Sequence, residues 1–272
     1  LKGMLACQEK MPEIPNVAVF DTAFHQTMPD YAYMYALPYR YYEEYKIRRY
    51  GFHGTSHRYV SMRAAELIGR PYRHLEMVTC HLGNGSSICA VRNGRSIDTS
   101  MGFSPVCGIP MGTRAGDIDP AIITYLQARL KLDRDELDEL LNKESGLLGV
   151  SGLSNDMRTL VEAADEGHEQ AALAIELFCY RLAKALAGLA VPLGHVDALV
   201  FTGGIGENAA HVRARTLHHL RLLGYRHDDN LNQTNGRGEN GRITTENSPL
   251  ALVIPTDEER MIAQDSIALV RA

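Results

Sequence analysis

The stretch VDALVFTGGIGENAAHVRARTLHHLRLLG, Val196 to Gly224, decides the fold. Its run ALVFT is short and rich in strand-forming residues, a glycine-rich turn follows, and apolar positions then recur at helical spacing. A strand, a glycine turn and a helix in this order are typical of α/β proteins that hold nucleotide phosphates, because the first turn of a helix exposes N–H groups. Strands and helices alternate along most of the chain, so the sequence predicts the α/β class.

The polar stretch YGFHGTSHRYV, residues 50–60, marks the start of another helix. Ser56 is a suitable N-cap, and Gly69 is placed to end the helix. Because a helix N-terminus carries exposed N–H groups and the positive end of the helix dipole, this stretch favours an anion. Upstream, NVAVF at 16–20 predicts a strand that leads into a polar loop at Asp21.

Turn and cap signals divide the middle of the chain. Asn93-Gly94 is a strong hairpin signal, and GNGSS at 83–87 predicts a tighter turn between strands. Asp119 and Pro120 predict the start of a helix, as its cap and its first residue. The apolar positions of that helix are expected to face the core: Ile122, Ile123, Leu126 and Leu130.

Three segments complete the C-terminal half. Residues 169–193 predict a long helix with an apolar face. Residues 228–248 are polar, rich in Asn and Gly and without periodicity, which predicts an exposed connection with no part in function. The final stretch, 250–270, predicts a strand and then a helix, with Thr256 and Glu259 at the spacing of a capping box.

Composition excludes several classes of protein. The 28 Lys and Arg residues against 33 Asp and Glu leave no basic footprint for nucleic acid or an anionic membrane. No apolar run approaches the roughly 20 residues of a membrane span, and no signal segment opens the chain. Five cysteines without CxxC spacing argue against a disulfide framework and a structural zinc site, and they predict a cytoplasmic protein.

Familiar catalytic motifs are missing from the sequence. There is no GxxxxGK[ST], so kinase chemistry here would not use a P-loop. GGIGEN departs from GxGxxG at its last position, HGTSH lacks the glutamate of HExxH, and no GxSxG occurs. Dinucleotide-binding, zinc-protease and α/β-hydrolase classes are therefore disfavoured.

Eight motifs in one order carry a resemblance to a known family. They are VFDTAFHQTMP (19–29), RRYGFHGTSH (48–57), CHLGNGSS (80–87), DTSMGFSP (98–105), MGTRAGDIDP (111–120), ESGLLG (144–149), FTGGIGEN (201–208) and IPTDEE (254–259). The chain resembles the acetokinase family of acetate and propionate kinases over essentially its whole length. Eight ordered matches are far more specific than any single motif.

The resemblance implies the actin-like ATPase fold of acetate and sugar kinases, Hsc70 and actin, in which two related domains close over ATP. Family members begin with a further segment that carries a phosphate-contacting loop and a second catalytic arginine. Because Leu1 opens this chain without them, we expect the first domain to be largely missing. The implied division is 1–21 as a remnant of the first domain, 22–256 as the nucleotide-binding second domain, and 257–272 as a helix returning to the first.

The resemblance also implies a reaction. Acetate kinases transfer the γ-phosphoryl of ATP directly to acetate with Mg²⁺, or Mn²⁺ in its place, and release acetyl phosphate and ADP. A propionate kinase is the alternative with the same chemistry, and a non-catalytic nucleotide-binding fragment is the alternative from another class. The missing segment predicts that this chain alone is impaired. Family members are commonly homodimers, so we expect a homodimer that binds ATP and a short-chain carboxylate.

Four residues match the family's reaction centre. Arg114, flanked by glycines, matches a catalytic arginine whose planar fork suits phosphate or carboxylate. His53 matches the histidine proposed to hydrogen-bond the transferring phosphoryl, whereas His57 is interpreted as structural. Asp21 is assigned to the site rather than to a simple turn, and Glu258 matches the metal-binding glutamate, with a shift of one residue left open because IPTDEE departs from the family's Thr-Asn-Glu-Glu.

The remaining matches concern the nucleotide and the acid. His81, Asn84 and Gly85 match a phosphate-contacting turn, although Asn-Gly is also simply a good turn former. Phe52 and Pro105 match walls of the small acyl pocket. The residues matched to the adenosine site are Asp156, Met157, Arg158, Gly204, Ile205 and Asn208. Met157 stands where many family members have Phe, and its thioether can still pack on a ring.

Overall fold

A five-stranded sheet forms the centre of the protein in the computed structural model, which describes residues 2–271. The strands are β1 (Glu76–Leu82), β2 (Ser86–Arg92), β3 (Arg95–Thr99), β4 (Ala198–Thr202) and β5 (Ala251–Val253). Their order is β3-β2-β1-β4-β5; β1, β2 and β3 pair antiparallel, while β4 lies parallel to both β1 and β5. The α/β class is confirmed.

Helices cover the sheet. They are α1 (Lys2–Lys10), α2 (Asp30–Tyr33), α3 (Arg40–Tyr45), α4 (Gly54–Ile68), α5 (Pro120–Leu130), α6 (Arg134–Lys143), α7 (Gly146–Ser151), α8 (Met157–Asp165), α9 (Glu169–Ala190), α10 (Gly203–Asn208), α11 (Ala210–His219), α12 (Asp229–Gln233) and α13 (Glu258–Arg271). Short 3-10 turns lie at Ala23–Thr27, Tyr72–His74, Val191–Leu193 and Leu220–Leu223. No helix among the described residues is long and apolar enough to cross a membrane.

The two faces of the sheet have separate apolar cores. One face packs on α9, the long helix that the sequence predicts, through residues that include Cys80, Leu82 and Phe201. The opposite face packs on α4 through a smaller cluster that includes Met77 and Val200. Because side chains alternate along a strand, the odd-numbered residues of β1 point toward α4. The fold thus places β1 side chains directly beneath the helix whose N-terminus the sequence marks as polar.

Local signals predict several element ends correctly. Asn93 and Gly94 form the β2–β3 hairpin turn, both with positive φ, at 53° and 78°. Gly69 ends α4 in the left-handed conformation, with φ of 72°. Asp119 caps α5 by accepting a hydrogen bond from the N–H of Ala121 at 2.8 Å.

Two N-terminal predictions are wrong. Residues 16–20 form no strand; no other described segment pairs with their backbone. A strand exists only where a neighbour accepts and donates its hydrogen bonds, and the β-rich composition alone cannot supply one. Ser56 is not the cap of α4, because the helix already begins at Gly54 after His53. The hydroxyl of Ser56 instead bonds His81 and Thr256.

Three predictions in the later part of the chain also fail. The apolar positions of α5 do not face a core, since Ile122 and Leu130 are 43% and 58% exposed. Thr256 and Glu259 form no capping box; Asp257 accepts from the N–H of Arg260 at 3.0 Å and caps α13. The glycine-rich GGIGEN is the short helix α10 rather than a loop.

The segment 228–248 is only partly an exposed connection. It contains α12, and Asn232, Ile243 and Thr244 are fully or almost fully buried. Asn232 accepts hydrogen bonds from the buried guanidinium of Arg213 on α11. This contact across 19 residues gives the segment a structural role that its polar composition conceals.

Candidate active site

The candidate site lies where β1 and β4 end side by side. The two strands are parallel, and His81 of β1 is paired with Thr202 of β4. The turn 83–85 therefore follows β1 at the same edge of the sheet at which α10 follows β4. Ligands of open α/β sheets bind at the carboxyl ends of parallel strands, so the topology brings the two glycine-containing motifs to one place.

His53 is held in an uncommon backbone conformation at the start of α4. Its φ is 55°, in the left-handed region that non-glycine residues rarely adopt. The backbone N–H of His53 donates to Asp21 Oδ2 at 2.6 Å, and the N–H of Gly54 donates to the Asp21 carbonyl at 2.8 Å. Asp21 thus caps the helix that carries His53, which joins these two sequence-predicted residues by a direct contact.

A second histidine stacks on His53. The rings of His53 and His81 lie 4.3 Å apart at an interplanar angle of 27°. Burial, and to a smaller degree the charge of Arg114, lower the pKa of His53 to about 4. Burial and the neighbouring His53 likewise lower the pKa of His81 to about 3. Both imidazoles are therefore neutral at physiological pH and can offer a hydrogen bond without a charge.

Arg114 meets His53 across Gly85. A methyl group on Gly85 would lie 3.0 Å from Arg114 Nη1 and 3.4 Å from His53 Nε2. Arg114 Nη1 also donates to the carbonyl of Pro105 at 3.4 Å. Because Gly85 has no side chain, a space remains that both the cationic Arg114 and the neutral His53 face. Such a pair of hydrogen-bond donors suits an anion.

A cavity of about 810 Å³ lies beside the same turn. Seven sequence-predicted residues line it: Asn84, Asp156, Met157, Arg158, Gly204, Ile205 and Asn208. Its volume is within the range of small-molecule sites. His53, His81, Gly85 and Arg114 do not line this cavity; Arg114 and His53 lie close to Gly85, the residue after Asn84, which does line it.

Two of the residues that line the cavity also take part in core packing and in helix capping. Met157 is 5% exposed and packs in the core beneath α9, so little of its thioether is left to face a ligand. Asp156 caps α8 by accepting from the N–H of Thr159 at 2.9 Å, and this hydrogen bond lowers the pKa of the carboxyl. Both residues still border the cavity, and Asn155, just before them, donates to Asn84 Oδ1 at 3.0 Å.

The sequence does not single out Glu207, although it fastens α10 in place. Its Oε1 accepts from the N–H of Gly203 at 3.0 Å and from the N–H of Thr256 at 3.1 Å. Gly203 has φ of 76°, and a β-carbon there would lie 2.8 Å from the carbonyl oxygen of Leu82. The close approach of β1 and α10 therefore requires glycine. GGIGEN contains both residues, but the partner at 256 is too distant in sequence to be foreseen.

Asp21 and Glu258 form a pair of carboxylates near the site. Burial raises the pKa of Glu258, and the negative charge of Asp21 raises it in the same direction. Glu259, the alternative to Glu258, is exposed. Hard oxygen ligands suit Mg²⁺, which usually takes one or two carboxylates and completes its shell with water and phosphates. The two carboxylates fit this shared mode of binding; among residues 2–271, no group of three or more His, Cys, Asp or Glu side chains could hold a metal ion.

The two residues matched to the acyl pocket flank the anion-binding groups. Phe52 precedes His53, and its carbonyl accepts from His25 Nε2 at 2.9 Å. Pro105 contacts Arg114 through its carbonyl. His57, interpreted as structural from the sequence, is fully buried and uses both ring nitrogens in hydrogen bonds.

Comparison with known proteins identifies the family. The model of the acetokinase family matches residues 1–264. The chain belongs to the acetokinase family. This confirms the resemblance that the eight motifs carry. Acetate kinase from Stutzerimonas stutzeri is 56% identical over the whole chain and 69% of its own length. Acetate kinase from Caldicellulosiruptor saccharolyticus is 53% identical over 98% of the chain and 67% of its own length.

Solved structures of acetokinase-family proteins share the fold. A propionate kinase from Francisella tularensis superposes with a TM-score of 0.92 at 48% identity, over 97% of this chain and 67% of the other. Acetate kinase from Porphyromonas gingivalis gives the same TM-score at 44% identity, over 99% and 67%. The chain thus spans about two thirds of the length of these relatives. The family is one of phosphotransferases that act on a carboxylate.

Proposed function

We propose that this acetokinase-family chain binds ATP or ADP in the 810 Å³ cavity and takes part in phosphoryl transfer to acetate. One observation carries the proposal most: His53 Nε2 and Arg114 Nη1 face the same space at Gly85, next to that cavity. A nucleoside in the cavity would direct its phosphates past the 83–85 turn toward these groups. Phosphoryl transfer needs mainly the positioning of the reactants and hydrogen-bond donors to the equatorial oxygens of the transferred group. The cavity would position the nucleotide, and His53 and Arg114 would be the donors.

Arg114 and His53 would have different roles because they differ in charge. Arg114 is a permanent cation whose fork can hold two oxygens of the transferred group. Neutral His53 adds a hydrogen bond to the same group without a second positive charge beside Arg114. The acid would lie between Phe52 and Pro105, whose neighbours are His53 and Arg114. In this arrangement the carboxylate oxygen attacks the γ-phosphorus in line with the departing ADP oxygen, so the phosphoryl passes directly between them.

Asp21 and Glu258 are the residues that would hold Mg²⁺, or Mn²⁺ in its place. A divalent ion there supplies neutralisation of charge on the nucleotide phosphates. Burial first and the negative charge of Asp21 second raise the pKa of Glu258, and such a cation would relieve the repulsion between the two carboxylates. Asp21 would keep its second task, since one oxygen accepts from the N–H of His53.

Acetate is the proposed acid because the curated relatives at 53–56% identity are acetate kinases. Propionate is the alternative, and the 48% identity to the Francisella propionate kinase favours keeping it. Family resemblance further supports a homodimer. The division into segments 1–21, 22–256 and 257–272 stays a prediction.

A hydroxamate assay tests the proposal. Acyl phosphate formed from ATP and a carboxylate is trapped by hydroxylamine, with acetate and propionate compared at equal concentration. The chain is assayed as it stands and also joined to the segment that family members carry ahead of Leu1. We expect ATP-dependent and Mg²⁺-dependent hydroxamate formation, larger with acetate. If neither form makes hydroxamate while ATP still binds, the chain is a nucleotide-binding protein without transfer activity and the proposal is wrong.

A further inference from the structure

A chain of hydrogen bonds runs from the middle of β1 to His53. Thr79 Oγ1 lies 2.7 Å from His57 Nδ1, and His57 Nε2 lies 2.7 Å from Ser87 Oγ. Ser87 Oγ in turn lies 2.9 Å from His53 Nδ1. Thr79, His57 and Ser87 are all completely buried between α4 and the sheet. We call these three residues with His53 the Thr79–His53 chain.

The Thr79–His53 chain has two proton arrangements in which all three hydrogen bonds run in one direction. Each neutral imidazole carries one N–H, and each hydroxyl donates one hydrogen. In the first arrangement Thr79 donates to His57, His57 Nε2–H donates to Ser87, and Ser87 donates to His53 Nδ1. His53 then carries its proton on Nε2. In the second arrangement every bond is reversed and His53 carries its proton on Nδ1.

Thr79 selects between the two arrangements. Its hydroxyl has no hydrogen-bond partner besides His57 within residues 2–271. In the reversed arrangement it would accept from His57, and its own hydrogen would be buried without an acceptor. A buried donor without a partner is unfavourable by a factor of about five or more in population. An arrangement in which both imidazoles donate to Ser87 would leave the Ser87 hydrogen without an acceptor, because its hydroxyl bonds only the two histidines among residues 2–271. The first arrangement alone gives every hydrogen an acceptor, so the lack of a further partner at Thr79 and at Ser87 sets the direction of the Thr79–His53 chain.

The surroundings of His53 Nε2 agree with this direction. Nε2 faces the space at Gly85 that Arg114 Nη1 also faces. Arg114 Nη1 donates to the Pro105 carbonyl and Met111 Sδ and not to Nε2, as expected when Nε2 is itself a donor. Two donors side by side, with no bond between them, fit an anionic oxygen as their shared partner.

We propose that Thr79, His57 and Ser87 are positioning residues that fix His53 as the Nε2–H tautomer and thereby make it a hydrogen-bond donor to the transferred phosphoryl. The tautomer assignment stands on the hydrogen-bond geometry, whereas its role in transfer rests on the proposed function. A lone pair at Nε2 would repel phosphate oxygens at the place where a donor is needed. The Thr79–His53 chain therefore determines the tautomer of His53, and the residue that does so lies three hydrogen bonds away.

Long-range ¹H–¹⁵N NMR of the protein, labelled with ¹⁵N at histidine, measures the tautomer of each imidazole ring directly. Each of the 11 histidines is assigned by its own His→Gln substitution. His25 provides an internal reference, because its Nε2 bonds the Phe52 carbonyl and must carry the proton there. We expect the Nε2–H pattern at His53 and His57 in the unmodified chain. An Nδ1–H pattern at His53 would overturn the proposal without any variant being made.

Thr79→Val tests the cause, with Thr79→Ser as the matched control. Val keeps the shape of Thr but removes the hydroxyl that selects the direction, so the Nδ1–H form of His53 should become populated. Ser keeps the hydroxyl and should keep the Nε2–H pattern. An unchanged His53 tautomer in Thr79→Val, with the His25 signal intact, would refute the role of Thr79.

Turnover separates this inference from the proposed function. Thr79→Val should lower kcat in proportion to the fraction of His53 that becomes the Nδ1–H tautomer, about twofold when the two forms are equally populated and more when Nδ1–H dominates, with little change in the KM for ATP. Thr79→Ser should restore it. Full kcat in Thr79→Val with a mixed tautomer would contradict the positioning role. Absent turnover in the unmodified chain, with His53 as Nε2–H, would instead refute the proposed function and leave the tautomer assignment standing.

Discussion

Replacing Arg213 by Met is expected to destabilise the protein far more than a surface arginine would. Arg213 has no exposed surface, and its five hydrogen bonds all go to uncharged oxygens. Nη1 donates to the carbonyls of Gly206 and Glu207 at 2.9 Å each, while the other nitrogens bond Asn232 and Asn235 at 2.6–2.8 Å. The guanidinium thus holds the end of α10 against α12.

The magnitude follows from these contacts. Five bonds at about 1 kcal/mol each give a gross loss of roughly 5 kcal/mol. Part of the loss is offset, because Met carries no buried charge; burial lowers the pKa of Arg213 to about 10, a sign of its desolvation. We therefore expect Arg213→Met to lower the free energy of unfolding by about 3 kcal/mol, as is typical for breaking a buried charged network.

Arg215→Met is the matched control two residues along α11. Arg215 is 42% exposed and pairs with Glu176 at 2.5 Å. An exposed ion pair contributes about 0–1 kcal/mol. Urea unfolding followed by circular dichroism should separate the two variants by roughly 2 kcal/mol or more. Equal stability of the two variants would refute the claim that Arg213 is fully engaged, and with it the structural role of the 228–248 segment.

Three further predictions concern the site. Arg114→Ala should lower hydroxamate formation by roughly 10³- to 10⁵-fold without lowering the unfolding midpoint, since Arg114 is only partly buried and its guanidinium faces the space at Gly85; normal turnover would remove it from the mechanism. Gly204→Ala should leave stability unchanged, because a β-carbon there meets nothing within 4 Å, yet weaken ATP binding in calorimetry; Gly188→Ala, equally unhindered but on α9, should leave binding unchanged. Unaltered ATP affinity in Gly204→Ala would exclude the nucleotide from that wall. Acid should destabilise the fold, because burial in the fold lowers the pKa of three histidines to about 4, 4 and 3: His25, His53 and His81. These histidines take up protons below about pH 6.5 in the unfolded protein but not in the folded one. Their contribution to stability is therefore present above about pH 6.5 and is lost toward about pH 4. The free energy of unfolding falls by up to about 1.4 kcal/mol per pH unit for each histidine. Urea unfolding at neutral and mildly acid pH measures this loss, and a flat profile would contradict the buried, neutral state of the three rings.

Sequence reasoning succeeds where a structure is set by neighbouring residues. The Asn93-Gly94 turn, the end of α4 at Gly69 and the cap of α5 at Asp119 each depend on the conformational preferences of two or three adjacent residues. The eight motifs carry the family resemblance in the same way, because each motif is itself a local unit. Of the seven sequence-predicted residues that line the cavity, Asn84 comes from CHLGNGSS, three come from FTGGIGEN, and the other three are adjacent in the chain at 156–158.

The failures involve partners far away in the chain. The strand expected at 16–20 needs a pairing segment that its composition cannot specify. Thr256 has the right residue type for a cap but bonds Ser56, 200 positions earlier, and Asp257 takes the cap instead. Thr79 resembles any strand threonine, and only the fold brings it to His57. Polar groups that act through distant contacts carry no local signal in the sequence.

A crystal structure with Mg²⁺ and a non-hydrolysable ATP analogue tests the central claim most directly. The account predicts the adenosine in the cavity between Asp156 and Ile205, with the terminal phosphate within hydrogen-bond distance of His53 Nε2 and Arg114. Nucleotide density in another part of the protein, or a terminal phosphate pointing away from the space at Gly85, would contradict it.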